Sequence, residues 1–148
     1  MTLEQQVTNL DLSKKLKELG VKQESLFYWH EVSHGGVRHR EPNSVSVDQN
    51  FDQDYKSDTY TNMTCSAFTV AELAEMLPVQ MTYGKDEPFL TCTKDLAGGW
   101  VICYADLKNG ATGKVIHDKN EANARARMLI YLIENNLLST KNRKDTER

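Results

Sequence analysis

Cysteine is scarce in this sequence, and its cysteines form no paired motif. The three cysteines, Cys65, Cys92 and Cys103, are odd in number and show no CxxC spacing. The N-terminal residues also lack the basic and apolar segments of an export signal. We therefore predict reduced thiols in a cytoplasmic protein, and we interpret Cys92 and Cys103 as small apolar side chains within strands.

An excess of positive charge is absent as well. The 18 basic and 21 acidic residues give a net charge of −3. Nucleic acids and anionic lipids bind basic surfaces, so the charge indicates no partner of either kind. The chain of 148 residues suffices for one domain and shows no repeat or interdomain linker. We expect that domain to span residues 1–140, with a frayed tail over 141–148.

The longest segment with a helical period runs from Asp118 to Leu138. Its apolar residues recur on one face of a helix: Ala122, Ala126, Leu129, Ile133 and Leu137. Asp118 followed by Glu121 predicts the N-cap, and Asn135-Asn136 predicts a left-handed exit. A helix of about 25–30 Å needs a broad packing surface, for which a sheet is the natural candidate. Its first half is too polar to cross a membrane.

Two shorter helices are predicted nearer the N-terminus. Residues 1–9 lack a period and predict a loose lead-in. One helix carries Leu12, Leu16 and Leu19, begins at a cap formed by Asp11 or Ser13, and ends at Gly20, with Val21 contacting Leu16. The other helix begins with a capping box at Thr69 and Glu72, with Phe68 stapled onto Leu73, and ends at Pro78.

Strand-like patterns account for most of the remaining chain. The aromatic segment 26–29 favours a strand, and residues 79–83, 89–94 and 100–105 predict a three-stranded meander. Both faces of the last of these strands are apolar, which predicts a central strand covered on each side. The fold class that follows is α+β, an antiparallel sheet of three to five strands packed with helices that include the long C-terminal one.

A long polar excursion interrupts these patterns between about residues 33 and 65. It contains Gly35-Gly36, Pro42-Asn43 and four aspartates that lack the spacing of a calcium loop. Val45 and Val47 alternate and predict a short strand, with which Val37 is expected to pair. A segment this long without regular structure is typically functional or mobile, and it is available for recognition.

One local pattern is typical of zinc hydrolases. His30-Glu31-Val32-Ser33-His34 matches HExxH, in which two histidines one helical turn apart hold zinc and the glutamate activates a bound water. His39 follows, as in the longer metzincin signature, but one residue too early. A structural or adventitious metal held by His30, His34 and His39 is a further alternative.

The surroundings of this pattern favour a chance match at the end of a strand. The motif requires a helix, yet it follows the aromatic strand-like segment and meets Gly35-Gly36 at once. The glycine-rich segments Gly98-Gly99 and Gly110–Lys114 lack the Walker spacing and predict hairpin turns. His117, beside Asp118, is interpreted as a surface residue. We therefore predict no cofactor, and we name no catalytic residue.

Four blocks of the chain together resemble a known group of proteins. These blocks are LKELG leading into QESLFYW (residues 16–29), AFTVAELAEMLP (67–78), GWVICY (99–104) and ARMLIYLIEN (126–135). They resemble small uncharacterised proteins encoded by phages, prophages and mobile elements of gut bacteria. The resemblance implies a bacterial cytoplasmic setting and a phage or mobile-element origin. It supplies no activity, cofactor or site residue.

The functional prediction is a non-enzymatic binding or accessory protein of a phage or mobile element. Its partner is expected to be another macromolecule, either a host protein or a second copy of the chain, and not a membrane. The alternative is a zinc-dependent hydrolase that uses His30, Glu31 and His34, and a helix over residues 26–35 would favour it.

Overall fold

The computed structural model describes residues 1–34, 37–38, 45–46, 60–82 and 85–138, and the backbone alone at residues 30–34, 37–38, 45–46, 60–64 and 111–112. A short 3-10 helix, Leu3–Gln5, precedes the regular elements. The helices are α1 (Leu10–Glu18), α2 (Val70–Met76) and α3 (Glu121–Glu134). The strands are β1 (Tyr28–His34), β2 (Val37–Arg38), β3 (Val45–Ser46), β4 (Tyr60–Ser66), β5 (Phe89–Lys94), β6 (Trp100–Asp106) and β7 (Gly110–Asp118).

These strands form two antiparallel sheets, which confirms the α+β class. In the first sheet, β1 pairs with β4 along one edge and with the short strands β2 and β3 along the other. The second sheet is a meander in the order β5-β6-β7. The prediction of a central strand at Trp100–Asp106 is therefore confirmed, and the short strands at Val37 and Val45 are present, although each pairs with β1.

The larger apolar core lies between the helices and the meander. Helix α3 contacts both other α-helices and the strands β6 and β7, so it joins the helices to the meander. Its buried side chains are Ala122, Ala124, Ala126, Met128, Leu129 and Leu132. The small alanines in its first half allow close approach to the sheet, and the larger residues fill the space farther along. A second, smaller cluster of Val7, Trp29, Cys65 and Ala67 lies at the first sheet.

Several local signals produced the predicted structure. Thr69 and Glu72 form the predicted capping box, and Phe68 and Leu73 are both fully buried in the larger core. Helix α1 ends in a Schellman motif, because Gly20 has a φ of 82° and the Val21 amide donates to the Leu16 carbonyl at 3.0 Å. Asn136 has a φ of 57°, which confirms the left-handed exit of α3.

The starts of α1 and α3 were predicted at the wrong residues. Helix α3 begins after Asn120, whose side chain accepts from the Asn123 amide, while Asp118 belongs to β7. The helix is therefore 14 residues, shorter than predicted. Helix α1 is capped by Asn9. A residue caps a helix through its side-chain oxygen where its own backbone is extended, as it is at Asn9 and Asn120. Several neighbouring residues carry suitable oxygens, so the sequence did not distinguish the capping residue from them.

The N-terminal segment is not the loose lead-in that its lack of a period predicted. Val7 and Thr8 are fully buried, and Val7 forms a bridge with Thr69. The Trp29 indole nitrogen donates to the Thr8 carbonyl at 3.0 Å. A segment this short leaves no periodic signal in the sequence. Its contacts with residues distant in the chain hold it in place.

The three-stranded meander is present, but its strands are β5, β6 and β7, whereas the prediction placed its first strand at residues 79–83 and none at β7. Of the predicted strand 79–83, residue 83 lies outside the described residues, and residues 79–82 form no named strand but make an isolated bridge between Gln80 and Phe89. Strand β7 occupies the segment that was interpreted as a turn.

Gly110 and Gly113 both have a φ of 74°. Gly110 pairs with Asp106 at the hairpin turn, whereas Gly113 lies where a register shift against β6 accommodates extra residues. Glycine usually marks turns, and at Gly113 it marks a bulge instead. Strand β4 also lies inside the predicted excursion, of which residues 35–36, 39–44 and 47–59 lie outside the described residues.

We predict that Gly99→Ala destabilises the junction between β6 and β7. A β-carbon at residue 99 would lie 3.0 Å from the carbonyl oxygen of Asp118 and 3.8 Å from the Cα of Lys119. Backbone atoms cannot rotate away, so the strands must separate, at a cost of about 1–2 kcal/mol in the free energy of unfolding. Urea denaturation measures the change. Gly98→Ala, where a β-carbon meets nothing within 4 Å but φ is 88°, separates crowding from backbone strain.

Candidate functional site

The HExxH pattern lies on a strand. Residues Tyr28–His34 form β1, whose central position between β4 and the short strands makes it extended along its length. Residues four apart in a strand are about 13 Å apart along the chain axis, whereas one helical turn brings their Cβ atoms within about 5–6 Å. The helical geometry that places His30, Glu31 and His34 around one zinc ion is therefore absent from this backbone.

The other residues considered for metal binding give no support to a site. His39 lies outside the described residues, as do Gly35 and Gly36. Among the side chains that the structure describes, no three histidine, cysteine or acidic groups lie close enough together to hold a metal ion. His117 is exposed on β7, as predicted, and its Nδ1 lies 3.9 Å from a carboxylate oxygen of Asp95.

The three thiols are wholly or partly buried, and Cys92 lies beside the charged side chains of Glu121 and Arg125. Cys65, Cys92 and Cys103 are all free, and Cys65 and Cys103 are buried. Burial raises the pKa of each thiol, and the nearby Lys17 and Lys14 only partly oppose this effect on the pKa of Cys65. A protonated thiol is a poor nucleophile, so these cysteines are placed as small apolar side chains and not as activated groups.

We expect the raised pKa of Cys65 to make the protein less stable in alkaline solution. The folded state keeps the thiol proton at a pH where the unfolded chain has lost it. The stabilisation is therefore complete below the unfolded-state pKa, and it is lost as the pH rises from that value through the higher folded-state pKa. One such thiol contributes at most about 1.4 kcal/mol per pH unit. Denaturation of the parent and Cys65→Ala between about pH 8 and 10 measures this slope, which the variant should reduce. Equal slopes would contradict the assignment.

One face of the meander is exposed along its two outer strands and carries apolar residues along its central strand. We call it the outer face; it comprises Phe89, Thr91, Thr93, Val101, Cys103, Ala105, Val115 and His117. The register places Phe89 opposite Ala105, Thr91 opposite Cys103, and Thr93 and His117 on either side of Val101. Phe89 and Val115 are 49% and 38% exposed, whereas Ile102 and Tyr104, on the opposite face of β6, are buried against the core.

The outer face departs from the usual pattern of a half-solvated sheet. An antiparallel sheet that faces water on one side normally alternates polar residues outward, but here the outward positions of β6 are Val101, Cys103 and Ala105. A leucine stands fully exposed at each hairpin turn of the meander, Leu96 before β6 and Leu107 after it. Ile102 and Tyr104 pack into the core with α3 on the inner face, whereas on the outer face Cys103 is buried and Val101 and Ala105 are partly exposed. Cover on both faces of β6 therefore stays a prediction for the outer face.

A second exposed feature is a cleft of about 620 Å³ beside Trp100. We call it the N-terminal cleft; its walls are the N-terminal segment and the beginnings of α2 and α3. Its apolar surface includes Phe27, Val70, Ala71 and Trp100. Asn120 holds the N-terminal segment against α3, because its side-chain nitrogen donates to the carbonyls of Glu4 and Val7. The cleft is thus formed by parts of the chain that are distant in sequence.

Charged groups surround the N-terminal cleft, and most of them are paired. Glu121 accepts two hydrogen bonds from Arg125, at 3.0 and 2.8 Å, and one from the Cys92 thiol at 3.5 Å. The Lys94 ammonium lies 5.3 Å from the centre of the Trp100 ring, within the range of a cation–π contact. Sequence reasoning missed both exposed features. An alternation of Phe89, Thr91 and Thr93 signals the outer face, but no local pattern signals the cleft.

Comparison of the chain with protein-family models, with curated proteins and with solved structures found no match. No helix in the part of the chain that the structure describes has both the length and the apolar character needed to span a bilayer.

Proposed function

We propose that this chain is a non-enzymatic binding or accessory protein that docks on another protein through the outer face. The observation that carries the proposal is the apolar character of this partly exposed sheet face, on which Phe89 of β5 is 49% exposed opposite Ala105 and Val115 of β7 is 38% exposed. Water contact with such side chains is unfavourable by about 25 cal/mol per Å² of apolar surface, and a partner removes it. Contiguous exposed apolar surface of this kind marks interaction sites.

The size of the outer face defines what the partner must cover. The meander is about 10 Å wide between its outer strands, and β6 is about 24 Å long. That area is smaller than the roughly 800 Å² that each protein buries in an interface of standard size. The outer face therefore forms the centre of the interface, and the exposed turn residues Leu96 and Leu107 extend it at both ends.

The biological setting is part of the same proposal. The resemblance of four sequence blocks to phage and mobile-element proteins supports a role in the bacterial cytoplasm. The strand geometry at His30, Glu31 and His34 removes the structural basis of the alternative, a zinc hydrolase, and we do not propose that activity.

Site-specific photo-crosslinking in a bacterial host tests the proposal. A benzophenone amino acid is placed at Thr93, which is exposed on the outer face, or at Leu26, which is exposed elsewhere. We expect a discrete protein adduct from residue 93 and none from residue 26. An adduct of twice the chain mass identifies a second copy as the partner, and any other mass identifies a different protein.

Two matched substitutions complete the test. Phe89→Ser and Leu26→Ser each remove an exposed apolar side chain, of 49% and 59% exposure. The adduct from residue 93 should be lost with Phe89→Ser and retained with Leu26→Ser, because the first substitution removes the most exposed apolar side chain of the outer face. Equal adducts from both positions, or an adduct that is insensitive to Phe89→Ser, would refute the proposal.

A further inference from the structure

We infer that the N-terminal cleft binds an apolar group that carries a carboxylate, either a small aromatic acid or the C-terminal end of a peptide. The cleft is separate from the outer face, so this inference goes beyond the proposed function. Its volume of about 620 Å³ lies within the range of small-ligand sites, about 300–1,000 Å³. Its apolar surface and the unpaired lysine in its lining indicate the chemistry of the ligand.

The apolar surface suits a flat ring or a large aliphatic side chain. Phe27, Val70 and Trp100 are half-buried and line the cleft from three different elements. Aromatic side chains hold flat apolar groups by stacking or by edge-to-face contact, at ring separations of about 4.5–7 Å. The apolar part of the ligand is therefore expected to lie against Trp100.

The polar groups of the cleft wall are almost all satisfied within the protein. The Asn120 side chain accepts from Asn123 and donates to the N-terminal segment. The Thr69 hydroxyl is bonded to Glu72. The Gln5 side chain accepts from the amide of Thr2. Lys119 is different, because it lines the cleft, is exposed, and has no ion-pair partner among the described residues.

Two charged side chains line the cleft, Glu121 and Lys119, and of these only Lys119 lacks an ion-pair partner among the described residues. Glu121 is neutralised by Arg125 at 2.8 Å, and Asp118 is neutralised by Arg127 at 2.9 Å. The ammonium groups of Lys94 and Lys119 remain, one at the Trp100 ring and one at the rim. An anion is therefore the complementary partner, and a carboxylate placed at the rim can pair with Lys119 while its apolar part remains in the cleft.

The test uses 1-naphthoate as the probe and follows backbone amide signals of the isotope-labelled full chain. We expect saturable shifts at Val70, Ala71 and Lys119 and at the Trp100 indole. 1-Naphthylmethylamine, which has the same ring and the opposite charge, should give no such shifts. Acetyl-Gly-Gly-Phe with a free or an amidated C-terminus then distinguishes the two sources of the carboxylate. If the free peptide acid binds more tightly than its amide and than naphthoate, the ligand is a chain end. If naphthoate binds more tightly than the free peptide acid, the ligand is a small acid.

Charge reversal at two exposed lysines supplies the matched control. Lys119→Glu should weaken naphthoate binding about tenfold, which corresponds to about 1.4 kcal/mol, whereas Lys114→Glu on β7 should leave it unchanged. Both residues are exposed, so neither substitution is expected to alter the fold. Absence of saturable shifts up to about 5 mM ligand, equal binding of the amine, or equal effects of the two substitutions would overturn the inference.

Discussion

Replacement of Thr8 by valine is expected to lower the free energy of unfolding by about 3 kcal/mol. Thr8 is fully buried, and its hydroxyl oxygen accepts from the Phe68 amide at 3.0 Å. The same hydroxyl lies 2.6 Å from that of Ser13, which is also fully buried. Valine has nearly the same shape but no hydroxyl, so the Phe68 amide loses its acceptor in a place that water does not reach.

The location of this hydrogen-bond network makes the loss large. Thr8 joins the N-terminal segment to α1 through Ser13 and to the start of α2 through Phe68, and its carbonyl accepts from the Trp29 indole. Denaturation in urea measures the change. Thr8→Ser, which keeps the hydroxyl, should recover most of the stability. A loss below about 1 kcal/mol in Thr8→Val would show that the network is not required, since typical surface substitutions change stability by at most about 0.5 kcal/mol.

Replacement of Glu72 by alanine is expected to cost about 2–3 kcal/mol. The Glu72 carboxylate accepts from the Thr69 amide and hydroxyl, both at 2.8 Å, which completes the capping box of α2. It also accepts from the Ser25 hydroxyl at 3.1 Å and from the Leu26 amide at 2.9 Å. Alanine removes all four acceptor contacts, so the substitution loses a helix cap and a tether between two distant segments at once.

A neighbouring glutamate provides the control for this prediction. Glu75 lies on the exposed side of the same helix. Glu75→Ala should change the free energy of unfolding by less than about 0.5 kcal/mol, as exposed substitutions usually do. Glu72→Gln retains the hydrogen-bonding shape of the side chain and is expected to fall between the two, since glutamine also serves in capping boxes. Indistinguishable effects of Glu72→Ala and Glu75→Ala would contradict the role of the carboxylate.

Glu72 also illustrates what local sequence reasoning can and cannot reach. The spacing of Thr69 and Glu72 predicted the capping box because both partners lie within one helical turn. The bonds to Ser25 and Leu26 join residues 46–47 positions apart, and no local pattern encodes them. The same difference between local and long-range contacts holds for two other residues. The predicted glycine-terminated end of α1 at Gly20 is confirmed. The contacts of Thr8 with Phe68 and Trp29 were not predicted.

The candidate surfaces follow the same rule. The alternation along β6 places Ile102 and Tyr104 on one face of the strand and Val101 and Cys103 on the other. Because both faces are apolar, the sequence predicted that β6 is the central strand. Which of its faces α3 covers was not predictable, because both faces are apolar. The N-terminal cleft is still more dependent on long-range contacts, since Phe27, Val70 and Trp100 belong to three separate parts of the chain.

The sequence by itself determined the α+β class, the capping box and end of α2, the glycine-terminated end of α1 and the central strand β6, because each depends on backbone preferences and side chains within a few residues. The tertiary structure was needed to show that β1 extends through His30–His34 by pairing with β4, that Val7 and Thr8 are buried, and that Phe89 and Val115 are exposed. Each of these outcomes depends on pairing and packing between residues far apart in the chain, where long-range burial and hydrogen bonding outweigh the weaker local preferences.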